Sequence, residues 1–72
     1  MVEFISTTNK KFKYFIGEEV SNEDFKIGLV IWFGDFHTSS LKKLEYITVE
    51  DGVEIRVETL NSKYVFLVKE VT

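Results

Sequence analysis

From position 53 to position 58 the chain reads Val-Glu-Ile-Arg-Val-Glu, an unbroken alternation of oily and charged side chains. Successive side chains of an extended strand point to opposite faces, so this segment buries Val53, Ile55 and Val57 together only as a β-strand. Glu54, Arg56 and Glu58 then face water. The flanking segments 43–50 and 63–70 are also rich in β-branched and aromatic residues, and Asp51-Gly52 and Asn61-Ser62 separate them from the first.

The turns set the register. A two-residue loop at Asp51-Gly52 pairs Val53 with Glu50, Ile55 with Thr48 and Val57 with Tyr46, which leaves Ile47 and Val49 on the charged face. A three-residue loop, Glu50-Asp51-Gly52, sets Val49 against Val53 and Ile47 against Ile55. A slip of one residue moves every side chain to the other face, so the pattern predicts the three-residue loop, with Gly52 at positive φ. Asn61-Ser62 reads as a two-residue turn with Asn61 left-handed. It pairs Val57 with Phe66 and Ile55 with Val68, and outside them Glu54 with Lys69 and Arg56 with Leu67. Residues 43–70 are thus expected as a three-stranded meander. Its core face is Ile47, Val49, Val53, Ile55, Val57, Tyr64, Phe66 and Val68. Its outer face carries Tyr46, Arg56, Val65 and Leu67, with Leu44 nearby.

Further strands are expected at 2–7, 11–16 and 25–34. In the last, Phe25, Ile27, Leu29, Ile31 and Phe33 line one face and Trp32 lies on the other; Gly28 and Gly34 mark bends. Ser21 and Ser40 are placed to cap short helical turns. The 72 residues allow one domain, 1–72, without proline or cysteine. A core this small rarely supplies more than ~3–5 kcal/mol unaided. Seven Phe, three Tyr and one Trp point to aromatic packing as the main support, with self-association as a second device. The fold class expected is all-β: a five- or six-stranded antiparallel barrel or strongly curved sheet, with at most one or two short helical turns. Two short strands, a polar loop, a long strand, a second loop and a meander resemble the layout of SH3-like small barrels, a resemblance of topology alone.

A net charge of −3 argues against broad electrostatic capture of nucleic acid and against anionic membranes. No apolar run approaches ~20 residues, and the first ten residues lack the pattern of a signal peptide, so a cytoplasmic location is expected. The only histidine, His37, lies beside Asp35, Ser39 and Ser40 in one loop, whereas catalytic triads assemble from distant parts of a fold. No phosphate-loop, dinucleotide or zinc-protease spacing occurs. Glu18, Glu19, Glu23 and Asp24 lack calcium-loop spacing and read as a solvated loop. No enzyme activity, cofactor or metal is therefore expected.

What remains is binding. Arg56, the one arginine, stands among Tyr46, Leu67 and Val65, a mixture that interfaces favour, and Trp32 extends such a surface. Arg56 with Lys42 and Lys43 suits a phosphate or carboxylate. The expected partners are a second copy of the chain, a protein partner or a small anionic ligand of nucleotide type, with no membrane. The alternative is single-stranded nucleic acid on Lys10, Lys11 and Lys13, which interleave with Phe12, Tyr14 and Phe15. A short, acidic, cysteine-free β domain carrying Thr59-Leu60-Asn61-Ser62-Lys63-Tyr64 is similar in style to short phage proteins. That likeness implies an inhibitor of host defence, acting in the host cytoplasm.

Overall fold

The alternating segment is a strand, and its neighbours in sequence are its neighbours in space. The computed structural model describes residues 2–69. Its strands are β1 (Val2–Thr7), β2 (Glu19–Val20), β3 (Trp32–Phe33), β4 (Phe36–His37), β5 (Lys43–Val49), β6 (Gly52–Glu58) and β7 (Lys63–Lys69). A five-stranded antiparallel sheet runs in the order β2-β1-β7-β6-β5, and β3 and β4 form a separate hairpin. The first and last strands of the chain lie side by side, Val2 opposite Val68 and Phe4 opposite Phe66. Residue 70, the expected end of the last strand, lies outside the described residues.

Both turns differ from expectation by their position. Between β5 and β6 the turn is Glu50-Asp51, with Val49 opposite Gly52, Thr48 opposite Val53 and Tyr46 opposite Ile55. Ile47 therefore sits against Glu54 on the charged face, and the three-residue loop is not formed. Gly52 has φ 149°, a region that favours glycine, so the glycine opens the strand instead of closing the loop. Between β6 and β7 the turn is Leu60-Asn61, with the Thr59 N–H donating to the Ser62 carbonyl at 2.9 Å. Val57 faces Tyr64, Ile55 faces Phe66, Glu54 faces Leu67 and Arg56 faces Val65. That is a shift of two residues from the expected pairing, which keeps every side chain on its face. No residue other than glycine has positive φ among the described residues, so Asn61 is not left-handed.

The core lies between the inner face of this sheet and the arm formed by residues 25–41. Val2, Phe4, Val20, Ile55, Val57, Tyr64 and Phe66 come from the sheet, and Phe25, Ile31, Phe33 and Leu41 from the arm. Phe4 is its centre, with ring centroids 4.9 Å from Phe33 and 5.0 Å from Phe66. Phe25 meets Phe66 edge-on at 4.9 Å. These tilted and T-shaped contacts are the favoured geometries of aromatic pairs.

Two expected strands are absent, for different reasons. Residues 11–16 hold a 3-10 turn, Lys13–Phe15. The Asn9 carboxamide oxygen accepts from the Lys11 N–H at 3.0 Å, which starts the turn, and the Phe15 N–H donates to the Phe12 carbonyl at 2.9 Å. Residues three apart eclipse in such a turn, so Phe12 and Phe15 both reach the core while Tyr14 is left outside. Residues 25–34 bend out and back. Phe25, Ile31 and Phe33 are buried, whereas Ile27 and Leu29 are exposed. Gly28, at φ 91°, lets the chain turn where a strand needs to run on. Thr38 pins the arm: its Oγ1 accepts from the Ile31 N–H at 3.1 Å and donates to the Ser39 carbonyl at 2.8 Å. Ser21 caps a short 3-10 turn, Asn22–Asp24, by accepting from the Glu23 N–H, as expected; Ser40 starts no helix.

Candidate functional site

The outer sheet face is laid out by the cross-strand pairs. One row runs Lys63, Glu58, Lys43 across β7, β6 and β5. The next runs Val65, Arg56, Glu45, and the third Leu67, Glu54, Ile47. Directly opposed side chains on one face lie ~4.5–5.5 Å apart at Cβ, so each row is a set of near neighbours. Arg56 is held by the residue two before it: its Nε donates to Glu54 Oε1 at 2.7 Å. Lys43 stands 4.0 Å from Glu58, an exposed pair that contributes little to stability.

At the end of this face where the β6–β7 hairpin turns, an open hollow of about 660 Å³ is lined by Lys42, Lys43, Lys63 and Arg56, with Glu45, Glu58, Val65 and Ile27 among its other walls. Four cations face two carboxylates there, in a chain whose net charge is −3. The hollow thus collects positive charge against the overall sign. Volumes of a few hundred to a thousand Å³ are typical of small-ligand sites.

Three residues singled out from the sequence, Arg56, Lys42 and Lys43, are brought together here. The other three are not. Leu67 shares the face but lies one row away, opposite Glu54. Tyr46 pairs with Ile55 and so projects from the opposite face to Arg56, where it is 58% exposed at the rim of the core. Tyr46 therefore does not stand beside Arg56 on the outer face, the place expected from the sequence. Trp32 is on β3, away from the sheet, with its ring 4.6 Å from the His37 imidazole. Lys63 was missed. With the turn placed at Asn61-Ser62, Lys63 falls opposite Leu60, whereas the Leu60-Asn61 turn sets it opposite Glu58.

His37 Nδ1 lies 2.7 Å from the Thr38 carbonyl, which accepts, so Nδ1 is the donor. Lys10, Lys11 and Lys13 sit around the 3-10 turn rather than along a strand edge. Among the described residues no cluster of His, Asp or Glu is arranged to hold a metal ion, and no helix is long and apolar enough to cross a membrane. Comparison with protein-family models, with curated proteins and with solved structures finds no match to this chain.

Proposed function

We propose that the chain is a non-catalytic binding protein that captures a small anionic ligand of nucleotide type in the hollow between Lys42, Lys43, Lys63 and Arg56. The observation that carries this reading is the gathering of four cations around one concave surface of an acidic protein. Arg56 suits a phosphate: Glu54 fixes its Nε, and its terminal nitrogens make no hydrogen bond among the described residues. The lysines suit a second phosphate as mobile point charges. Glu45 and Glu58 suit the hydroxyls of a sugar. The role proposed is capture rather than turnover, for which the hollow supplies cations and carboxylates. Sequestration of a signalling nucleotide is the role of a phage-type inhibitor of host defence, and we propose that role for the chain. Self-association, where it occurs, uses the same sheet face through Leu67, Val65 and Ile47, which no second layer covers.

Titration calorimetry at low ionic strength tests the reading with adenosine triphosphate, inorganic tripolyphosphate and adenosine. Both polyanions bind, adenosine does not, and added salt weakens binding because the charges are exposed. Arg56→Glu and the double change Lys42→Glu with Lys43→Glu abolish it. Failure of both polyanions to bind overturns the proposal.

A further inference from the structure

A second surface lies apart from the hollow. Tyr14 is 89% exposed and Phe36 is 63% exposed, although each is a large ring that a small domain ordinarily buries. Both line a groove of about 380 Å³ whose remaining walls are Phe12, Phe15 and Lys11, and each is in ring contact with Phe15. Its floor is stiff, because Phe12 and Phe15 rest on the buried Phe33, at centroid distances of 5.5 and 5.3 Å. Its walls are angled. Tyr14 stands at 90° to Phe15, and Phe36 is tilted 45° from it. Rings set at such angles form a cup, which accepts an inserted side chain better than they form the parallel platform on which successive bases stack.

The rim supplies the sign of the partner. Lys10, Lys11 and Lys13 are all exposed beside the groove, and none is in an ion pair among the described residues. Unpaired like charges around an apolar cup repel one another in the free protein and are relieved by an acidic occupant. Of the side chains that line the cup only those of Lys11 and Tyr14 carry a hydrogen-bonding group, so an apolar anchor covers little polar surface on entering.

We infer that the groove between the Lys13–Phe15 turn and β4 docks an acidic segment of a partner protein, which inserts one bulky apolar side chain between Tyr14 and Phe36. This site shares no residue with the Arg56 hollow and does not depend on it.

The probe is the fluorescein-labelled peptide Glu-Asp-Glu-Trp-Glu-Asp-Glu, followed by fluorescence anisotropy with the full chain. Three competitors accompany it: the same peptide with Ala for Trp, the peptide Lys-Arg-Lys-Trp-Lys-Arg-Lys, and an oligothymidylate. The acidic Trp peptide binds saturably. Loss of its Trp weakens binding about tenfold or more, the scale of one buried anchor. Tyr14→Ala does the same, and the exposed position of Tyr14 leaves the thermal melt unchanged as a check on folding. Lys11→Glu with Lys13→Glu abolishes binding and its salt dependence, whereas Arg56→Glu leaves it unaltered. Absence of saturable binding, equal binding of the Ala peptide, or tighter binding of oligothymidylate that Tyr14→Ala removes would each overturn the inference, the last in favour of a nucleic-acid surface.

Discussion

Thr38→Val changes one buried oxygen into a methyl group and little else. Thr38 is 1% exposed, and its hydroxyl is the acceptor for the Ile31 N–H at 3.1 Å. Valine keeps the shape, so packing is held nearly constant. The Ile31 N–H is then left in the core without a partner, at a cost of ~1–3 kcal/mol. The Ser39 carbonyl also loses its donor, but Ser39 is exposed and water replaces it. A loss near ~2 kcal/mol is a large share of the ~3–5 kcal/mol that a core of this size supplies. For a domain of this length it corresponds to a fall in Tm of roughly 8–16 °C. Thr38→Ser is the matched control. It keeps the hydroxyl and removes a methyl, at ~1 kcal/mol. Urea unfolding followed by circular dichroism gives both values, with an unchanged m showing that only stability has moved. In order of falling stability, the native chain comes first, then Thr38→Ser, then Thr38→Val. Hydrophobic transfer alone predicts the valine variant above the serine variant. Equal stability of Thr38→Val and Thr38→Ser would refute the idea that this hydrogen bond holds the arm on the sheet.

Other perturbations probe other parts of the molecule. Phe4→Ala removes the ring at the centre of the aromatic cluster and costs ~3–5 kcal/mol, so its far-ultraviolet spectrum is that of an unfolded chain at about 25 °C. Gly34 closes the β3–β4 hairpin at φ 64° with nothing within 4 Å of an added Cβ. Gly34→Asn, which tolerates that conformation, is therefore more stable in a thermal melt than Gly34→Val. Tyr64→Phe removes the hydroxyl that accepts from Asn9 Nδ2 at 3.1 Å and lowers stability by about 1 kcal/mol in urea unfolding. Sedimentation velocity reads self-association directly: Leu67→Arg converts an oligomer to a monomer, and a monomeric native chain removes that part of the functional proposal.

The strands at 2–7, 43–49, 52–58 and 63–69 were legible because period-two alternation and β-branched residues report burial on one face. The faces of β6 and β7 were also legible, since a turn displaced by two residues preserves them. The face of β5 was not. Maximising apolar pairing favoured Ile47 and Val49 inside, yet the chain turns at Glu50-Asp51 and sets Tyr46, Leu44 and Thr48 on the inner side instead. A one-residue choice of turn decides this, and oily residues stand on both faces of 44–49. That single choice separates Tyr46 from Arg56. Lys42 and Lys43 still stand near Arg56 because the register of β5 sets Lys43 opposite Glu58, two residues along β6 from Arg56. Residues 25–34 misled for another reason. The bends at Gly28 and Gly34 were legible from the glycines, but the Thr38–Ile31 hydrogen bond that holds the arm folded back is a tertiary fact that no local pattern reports. The same holds for Phe12 and Phe15, whose spacing fits a 3-10 turn once Asn9 has begun it.

The most direct measurement is a titration of ¹⁵N-labelled protein with tripolyphosphate, followed by amide and side-chain shifts. The proposed function predicts movements confined to 42–45, 56–58 and 63–65, with the Arg56 Nε resonance shifting most and Tyr46 and Tyr14 still. Shifts centred on Lys11, Lys13 and Tyr14, or a spectrum that does not move at millimolar ligand, would contradict it.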